Sequence, residues 1–304
     1  MGILETSFCS LQMQNPLILA SGVLGVNKNN LLRAEHGGAG ALTIKSISLE
    51  PREGHKNPIT AVFECGMLNA VGYSNPGLKE ALKEFADISD FKVPLIGSVT
   101  AGNAEEFASL AKEFEKLSFS ALELPLSCPH TPGFGLLAGQ GTPEATKAIT
   151  EAVRKETKKP LIVKVSPSIP NIAEIALAAE KAGADAINCG NTLGPGMIID
   201  INSGKPVLHF KVGGMSGPAI RPIIVRCVFD LYQAVKIPII GLGGVMNGGD
   251  AIEMLQAGAS AVGVGTAIHY EGSEVFGKIS KEMEQWMKKH SYKSIEELVG
   301  IAHK

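Results

Sequence analysis

Two kinds of short apolar segment alternate strictly along this chain, and that alternation restricts the fold more than any other feature. The first kind begins with proline: PLILAS from Pro16, PLIGSV from Pro94, PLIVKV from Pro160 and PIIGLG from Pro238. Proline is tolerated at the first residue of a strand, one of its few permitted places in a sheet. The second kind reads GAGALTI from Gly38, FSALELPL from Phe119, AGADAINC from Ala182 and AGASAVGV from Ala257. In three of these four a glycine follows a helical stretch, where a C-cap glycine belongs.

Each segment is apolar throughout, as expected of a parallel strand buried on both faces. Helical patterns fit between them. Asn103 to Lys116 places Phe107, Leu110, Ala111 and Phe114 on one stripe. Thr142-Pro143 reads as an N-cap followed by proline at N1, opening a helix to about Lys155. Asn171 to Ala182 and Asp250 to Ala257 look similar. Eight βα units in 304 residues predict a closed (β/α)8 TIM barrel, a fold that takes about 250 residues as one domain. An open doubly wound sheet is the alternative. No linker or low-complexity stretch suggests a second domain, so residues 1–304 are expected to form one. The connections after the second, fourth and sixth strands are long, roughly Ser46–Gly77, Cys128–Gly141 and Leu193–Gly217. In a barrel all three open on the C-terminal face, where active sites sit.

Bulk composition excludes several classes. Formal net charge is −2, so no basic surplus points to nucleic acid or anionic lipid. The five cysteines, Cys9, Cys65, Cys128, Cys189 and Cys227, are scattered without a CxxC pair, so no zinc or iron–sulfur site is signalled. A reducing, cytoplasmic setting fits them. The N-terminus lacks the basic region of a signal peptide, and no apolar run approaches the ~20 residues of a membrane span.

Several residues have the chemistry of a site. The last two strands end in Gly243-Gly244 and Gly265-Thr266, and GGMSGPAI from Gly213 leads into a helix. Backbone amides at such turns bind phosphate, and the ends of strands seven and eight are the usual barrel phosphate site. Lys45 and Lys164 fall within apolar strands. Such a lysine is costly unless it meets an anion or projects into a site. It can neutralise an electron-rich ring, bind a carboxylate or form a Schiff base; a rim lysine that reaches solvent is the plainer reading. Cys128 opens a glycine-rich loop, TPGFGLLAGQG. A thiol there can move a proton when the loop closes, or it is simply a small buried hydrophobe. Asn69, Asn191 and Thr192 can read the N–H and C=O groups of a planar heterocycle, or serve only as turn residues. His130 is a further acid–base candidate or a solvated loop residue.

IKS at Ile44, GMLNAVGYSNPG at Gly66, SCPH at Ser127, VKVSP at Val163, NTLG at Asn191, GGMSGPAIRP at Gly213, GLGGV at Gly241 and AVGVGTA at Ala261 resemble the class 1 dihydroorotate dehydrogenases, in order along nearly the whole chain. NTLG and SGPAIRP look most like class 1B, the catalytic subunit of the NAD-linked enzyme. The resemblance implies FMN across the barrel mouth, touched by Ser21, Lys45, Ser46, Ser98, Lys164, Gly217, Gly243, Gly244, Gly265 and Thr266. It implies that dihydroorotate meets Lys45, Asn191, Thr192 and the segment Asn69, Ala70, Val71, Gly72 and Tyr73. Cys128 is then the base, with Lys45 assisting. A homodimer core, and a partner subunit carrying FAD and an iron–sulfur cluster, are implied too. Two positions depart from the family: Pro125 and His130 each stand where asparagine is common, and Pro125 offers no side-chain hydrogen bond. Ser98 also replaces a common asparagine. A related flavin enzyme acting on another pyrimidine, as in the dihydropyrimidine dehydrogenases, and a non-catalytic flavin binder are the alternatives.

Overall fold

The computed structural model describes residues 2–25, 27–128 and 133–304, with the side chains of Leu137 and Ala138 left aside. His130 lies outside the described residues. Eight parallel strands close into a barrel: β1 (Leu17–Leu19), β2 (Ala41–Thr43), β3 (Leu95–Ser98), β4 (Ala121–Pro125), β5 (Leu161–Val165), β6 (Ala186–Cys189), β7 (Ile239–Leu242) and β8 (Ala261–Val264). Each pairs with the next in sequence, and β8 closes on β1. Each proline of the first segment family sits immediately before its strand. The eight strands are those the repeat predicts.

Helices follow the strands: α1 (Lys28–His36), α2 (Leu78–Glu84), α3 (Ala104–Glu115), α4 (Pro143–Glu156), α5 (Ile172–Lys181), α6 (Arg221–Ala234) and α7 (Gly248–Gln256), with α8 (Thr266–Glu271) and α9 (Val275–Lys289) after β8. The caps explain their starts. The side chains of Asn103 and Thr142 accept from Glu106 and Ala145 N–H at α3 and α4, and α4 has proline in its first turn. The stripe Phe107, Leu110, Ala111 and Phe114 is buried, as its spacing predicts.

The main core lies between barrel and helices. A second cluster fills the barrel floor: Ile18, Ala41, Ile96, Ala121, Ile162, Ala186, Ile240 and Ala261, one inward residue from each strand. An N-terminal hairpin, Thr6–Phe8 paired with Leu11–Met13, seals it from below with Phe8, Leu11 and Met13. Side chains alternate along a strand, so the next inward positions are fixed by counting two. They include Thr43, Ser98, Glu123, Lys164 and Asn188, all buried. The strands that read as uniformly apolar therefore carry a polar layer directly above an apolar floor.

The connections after β2 and β6 differ from plain loops. Thr60–Phe63, Gly66–Asn69, Gly213–Ser216 and Leu193–Gly196 form a four-stranded antiparallel sheet above the barrel, in the order 193–196, 213–216, 66–69, 60–63. Its own small core is Ala61, Leu68, Ala70 and Leu208. Three of these strands contain glycine and all four are short, so their residues alone give little strand signal. They form because two distant connections pair with each other.

Candidate active site

A cavity of about 360 Å³ opens at the C-terminal mouth of the barrel, within the range of ordinary ligand pockets. Its walls come from nearly every strand end. Ser21 and Gly22 follow β1, Lys45 and Ser46 follow β2, and Lys164 projects from β5. Gly243 and Gly244 follow β7, and Gly265 and Thr266 follow β8, beside Gly217 from the connection after β6. The overlying sheet and its flanks add Asn69, Val71, Gly72, Tyr73, Asn191 and Thr192. Cys128 and Pro125 complete the wall at the end of β4.

Two expected residues lie elsewhere. Ser98 is fully buried under the cavity, in the same inward layer as Glu123 and Lys164, where its short side chain does not reach the mouth as the long Lys164 side chain does. There its Oγ is 2.9 Å from Ser46 Oγ and donates to Glu123 Oε1 at 3.3 Å. Ala70 packs into the core of the overlying sheet, with Leu68 and Leu208. Thr60, Met67, Ser216 and His269 line the cavity without having been singled out. Pairing between the two long connections brings Met67 and Ser216 there, a local hairpin brings Thr60, and α8 brings His269.

The two lysines are the strongest electrostatic feature. Lys45 is 9% exposed and Lys164 5%. Burial, then repulsion from Lys164, pushes the Lys45 ammonium down from 10.5 to about 8, with an opposing pull from Cys128. Lys164 Nζ donates to Ser21 Oγ at 3.2 Å. Two ammonium groups held this dry favour an anionic or electron-rich guest. Beneath them, Glu123 accepts from Asn188 Nδ2 at 2.7 Å as well as from Ser98.

The amides are held for reading. Asn191 Nδ2 donates to Ser127 Oγ at 2.7 Å, and its Oδ1 accepts from Thr192 N–H at 2.8 Å. One amide hydrogen and one lone pair remain for a ligand. Asn69 Nδ2 donates to Gly214 O at 3.4 Å. Thr192 packs where a side chain on Gly214 would stand.

The glycine-lined side of the mouth is braced from behind. Gly244 has φ 76°, and a Cβ there would meet the backbone N of Arg221 at 2.9 Å. Arg221, the first residue of α6, pairs with Asp250 and Glu253. Asp250 Oδ2 also accepts from Met246 N–H at 2.9 Å, so one carboxylate ties α6 to the turn after β7. Cys128, 7% exposed, leads into a turn whose Leu136 N–H donates to Cys128 O at 2.9 Å. Gly135 has φ 55° there, and a Cβ would strike the Cys128 backbone. No disulfide joins any of the five cysteines. Among the described residues no group of three or more His, Cys, Asp or Glu is placed to hold a metal, and no helix is long and apolar enough to cross a membrane.

Comparisons with known proteins identify the family. The family described as Dihydroorotate dehydrogenase matches residues 3–287. The dihydroorotate dehydrogenase B (NAD(+)) catalytic subunit of Methanothermobacter thermautotrophicus is 48% identical over 302 residues, 99% of each chain. The proteins of the same name from Pyrococcus furiosus and Methanocaldococcus jannaschii are 45% and 43% identical, covering 97% and 99% of this chain and 97% and 98% of their own.

Proposed function

The chain belongs to the dihydroorotate dehydrogenase family, and from that premise we propose that it oxidises dihydroorotate to orotate in pyrimidine biosynthesis, with FMN bound at the barrel mouth. The observation that carries this reading is the convergence of Lys45, Lys164 and Cys128 on one cavity bounded by the glycine turns after β7 and β8. The residues present fit a phosphate-bearing flavin. Gly217, Gly243, Gly244, Gly265 and Thr266 offer small side chains and backbone amides on one side of the mouth, as phosphate needs. Ser21, Ser46, Lys45 and Lys164 line the rest of the floor. Ser98 supports this set through Ser46 without reaching it. The two buried ammonium groups suit an electron-rich ring that gains negative charge on reduction.

When bound, FMN supplies the hydride acceptor for C6 of the substrate. The chain's own residues do the rest. Cys128 takes the proton from C5 on its sulfur, and the C5–C6 double bond forms as that proton and the C6 hydride leave. Lys45 attracts the carboxylate and balances charge. Asn69, Asn191 and Thr192, with the backbone of Val71 and Gly72, read the ring's polar edge. Pro125 gives that edge no hydrogen bond, which leaves more of the recognition to these amides. Residues 1–304 are proposed to act as a single flavin-binding domain. The relatives are named catalytic subunits of an NAD(+)-linked enzyme, which supports a second subunit through which the electrons leave. In the same proposal the catalytic core is a homodimer and that second subunit carries FAD and an iron–sulfur cluster.

The test is a substrate panel on the anaerobic yellow protein. Dihydroorotate should bleach the flavin, and dihydrouracil, which lacks the carboxylate, should not. Bleaching by dihydrouracil alone would replace this reading with that of an enzyme for another pyrimidine.

A further inference from the structure

Tyr73 is held in a conformation that large side chains avoid. Its φ is 57°, a strained backbone that persists only where the surroundings enforce it. The enforcing contacts join two loops. The Tyr73 ring packs on Phe134 at 5.4 Å, and the Arg52 guanidinium lies 4.4 Å from the same Phe134 ring. Arg52 is fixed by paired backbone bonds with Asn75, at 2.9 and 3.0 Å. Phe134 belongs to the turn that returns its backbone to Cys128. The connection after β2 therefore clasps the connection that carries the thiol.

The Tyr73 hydroxyl, at the far end of this clasp, lies against the side chains of Cys128 and Thr100. Thr100 is fully buried, and among the described residues its Oγ1 completes no hydrogen bond at standard geometry, so the phenol is the polar group it faces. Burial, reinforced by Cys128, pushes the phenol well above its ordinary value, which keeps it a neutral O–H donor.

We propose that Tyr73 is a positioning residue for the Cys128 thiol, its ring clamped on Phe134 and its hydroxyl set between the Cys128 sulfur and Thr100 Oγ1. The proposal rests on the reading of Cys128 as the base and adds to it the group that aims the sulfur. An O–H that donates to sulfur fixes its direction.

The experiment uses the flavin-loaded protein and its Tyr73→Phe variant, which keeps the ring and removes the hydroxyl. At one fixed pH, iodoacetamide labelling of Cys128 is followed by mass spectrometry, and flavin reduction by dihydroorotate is followed in parallel. The variant should lose about tenfold in kcat, the scale of one hydrogen bond to an ionised group, with KM changed less than about twofold. Its Cys128 should label at least about threefold more slowly. Thr100→Val is the second variant, expected to move both quantities the same way by about threefold, and it decides the matter should Tyr73→Phe fail to fold. Equal labelling and equal kcat in wild type and variants overturn the proposal. A rise in KM alone also overturns it, because that marks a ground-state substrate contact. If dihydroorotate does not reduce even the wild type, the functional reading fails separately, and the labelling rates still decide the role of Tyr73.

Discussion

Replacing Lys45 with methionine should stabilise the flavin-free protein near neutral pH while weakening its site. The ammonium is buried beside Lys164, and its titration falls from 10.5 to about 8. A lysine depressed in this way binds its proton less readily folded than unfolded. Below the folded value the cost is fully present; as pH rises from about 8 towards 10.5 it disappears. The size follows from about 1.4 kcal/mol per pH unit: about 3 kcal/mol at about pH 7 and less than about 1 kcal/mol at about pH 10. Methionine keeps the length of the chain and removes the charge. Urea unfolding of both flavin-free proteins at these two pH values measures the difference. The variant should be more stable by about 3 kcal/mol near pH 7, and the gap should close near pH 10. A variant no more stable at pH 7, or a gap that does not shrink with pH, refutes the electrostatic account of this lysine.

Three further substitutions probe other parts of the molecule. Cys128→Ser should retain the flavin spectrum and slow flavin reduction by dihydroorotate by about 10²–10⁴-fold, measured by anaerobic stopped flow. Glu123→Ala should cost about 2–4 kcal/mol in urea unfolding, because Asn188 and Ser98 each lose a buried hydrogen-bond partner. Phe8→Ala should cost about 3–5 kcal/mol by opening the plug beneath the barrel floor, with KM for dihydroorotate unchanged because the site lies at the other end.

The barrel was legible because its signals are local. Proline before one set of strands, and glycine before most of the other, mark eight βα units without any knowledge of contacts. The site was legible where a residue sits on or directly after a barrel strand, as Lys45, Lys164, Gly243 and Gly265 do. It was less legible where position depends on counting inward layers. Ser98 looked like a wall residue, yet it shares its layer with Lys164 and its short side chain stays below the mouth, bonded to Ser46 and Glu123. The overlying sheet was hidden for another reason. Its strands pair residues such as Asn69 and Gly214, far apart in the chain, so no window of sequence contains both partners. Met67 and Ser216 enter the cavity wall through that long-range pairing, and His269 enters it from α8 after the last barrel strand. The clasp of Tyr73 on Phe134 depends likewise on two loops meeting.

The central claim is that this cavity uses a flavin to take a hydride from dihydroorotate while Cys128 takes a proton. The most direct measurement is an anaerobic titration of the purified yellow protein with dihydroorotate, following flavin absorbance and orotate together. The account predicts that the flavin bleaches with one orotate formed per flavin reduced. A flavin that stays oxidised, or one that bleaches without orotate appearing, contradicts it.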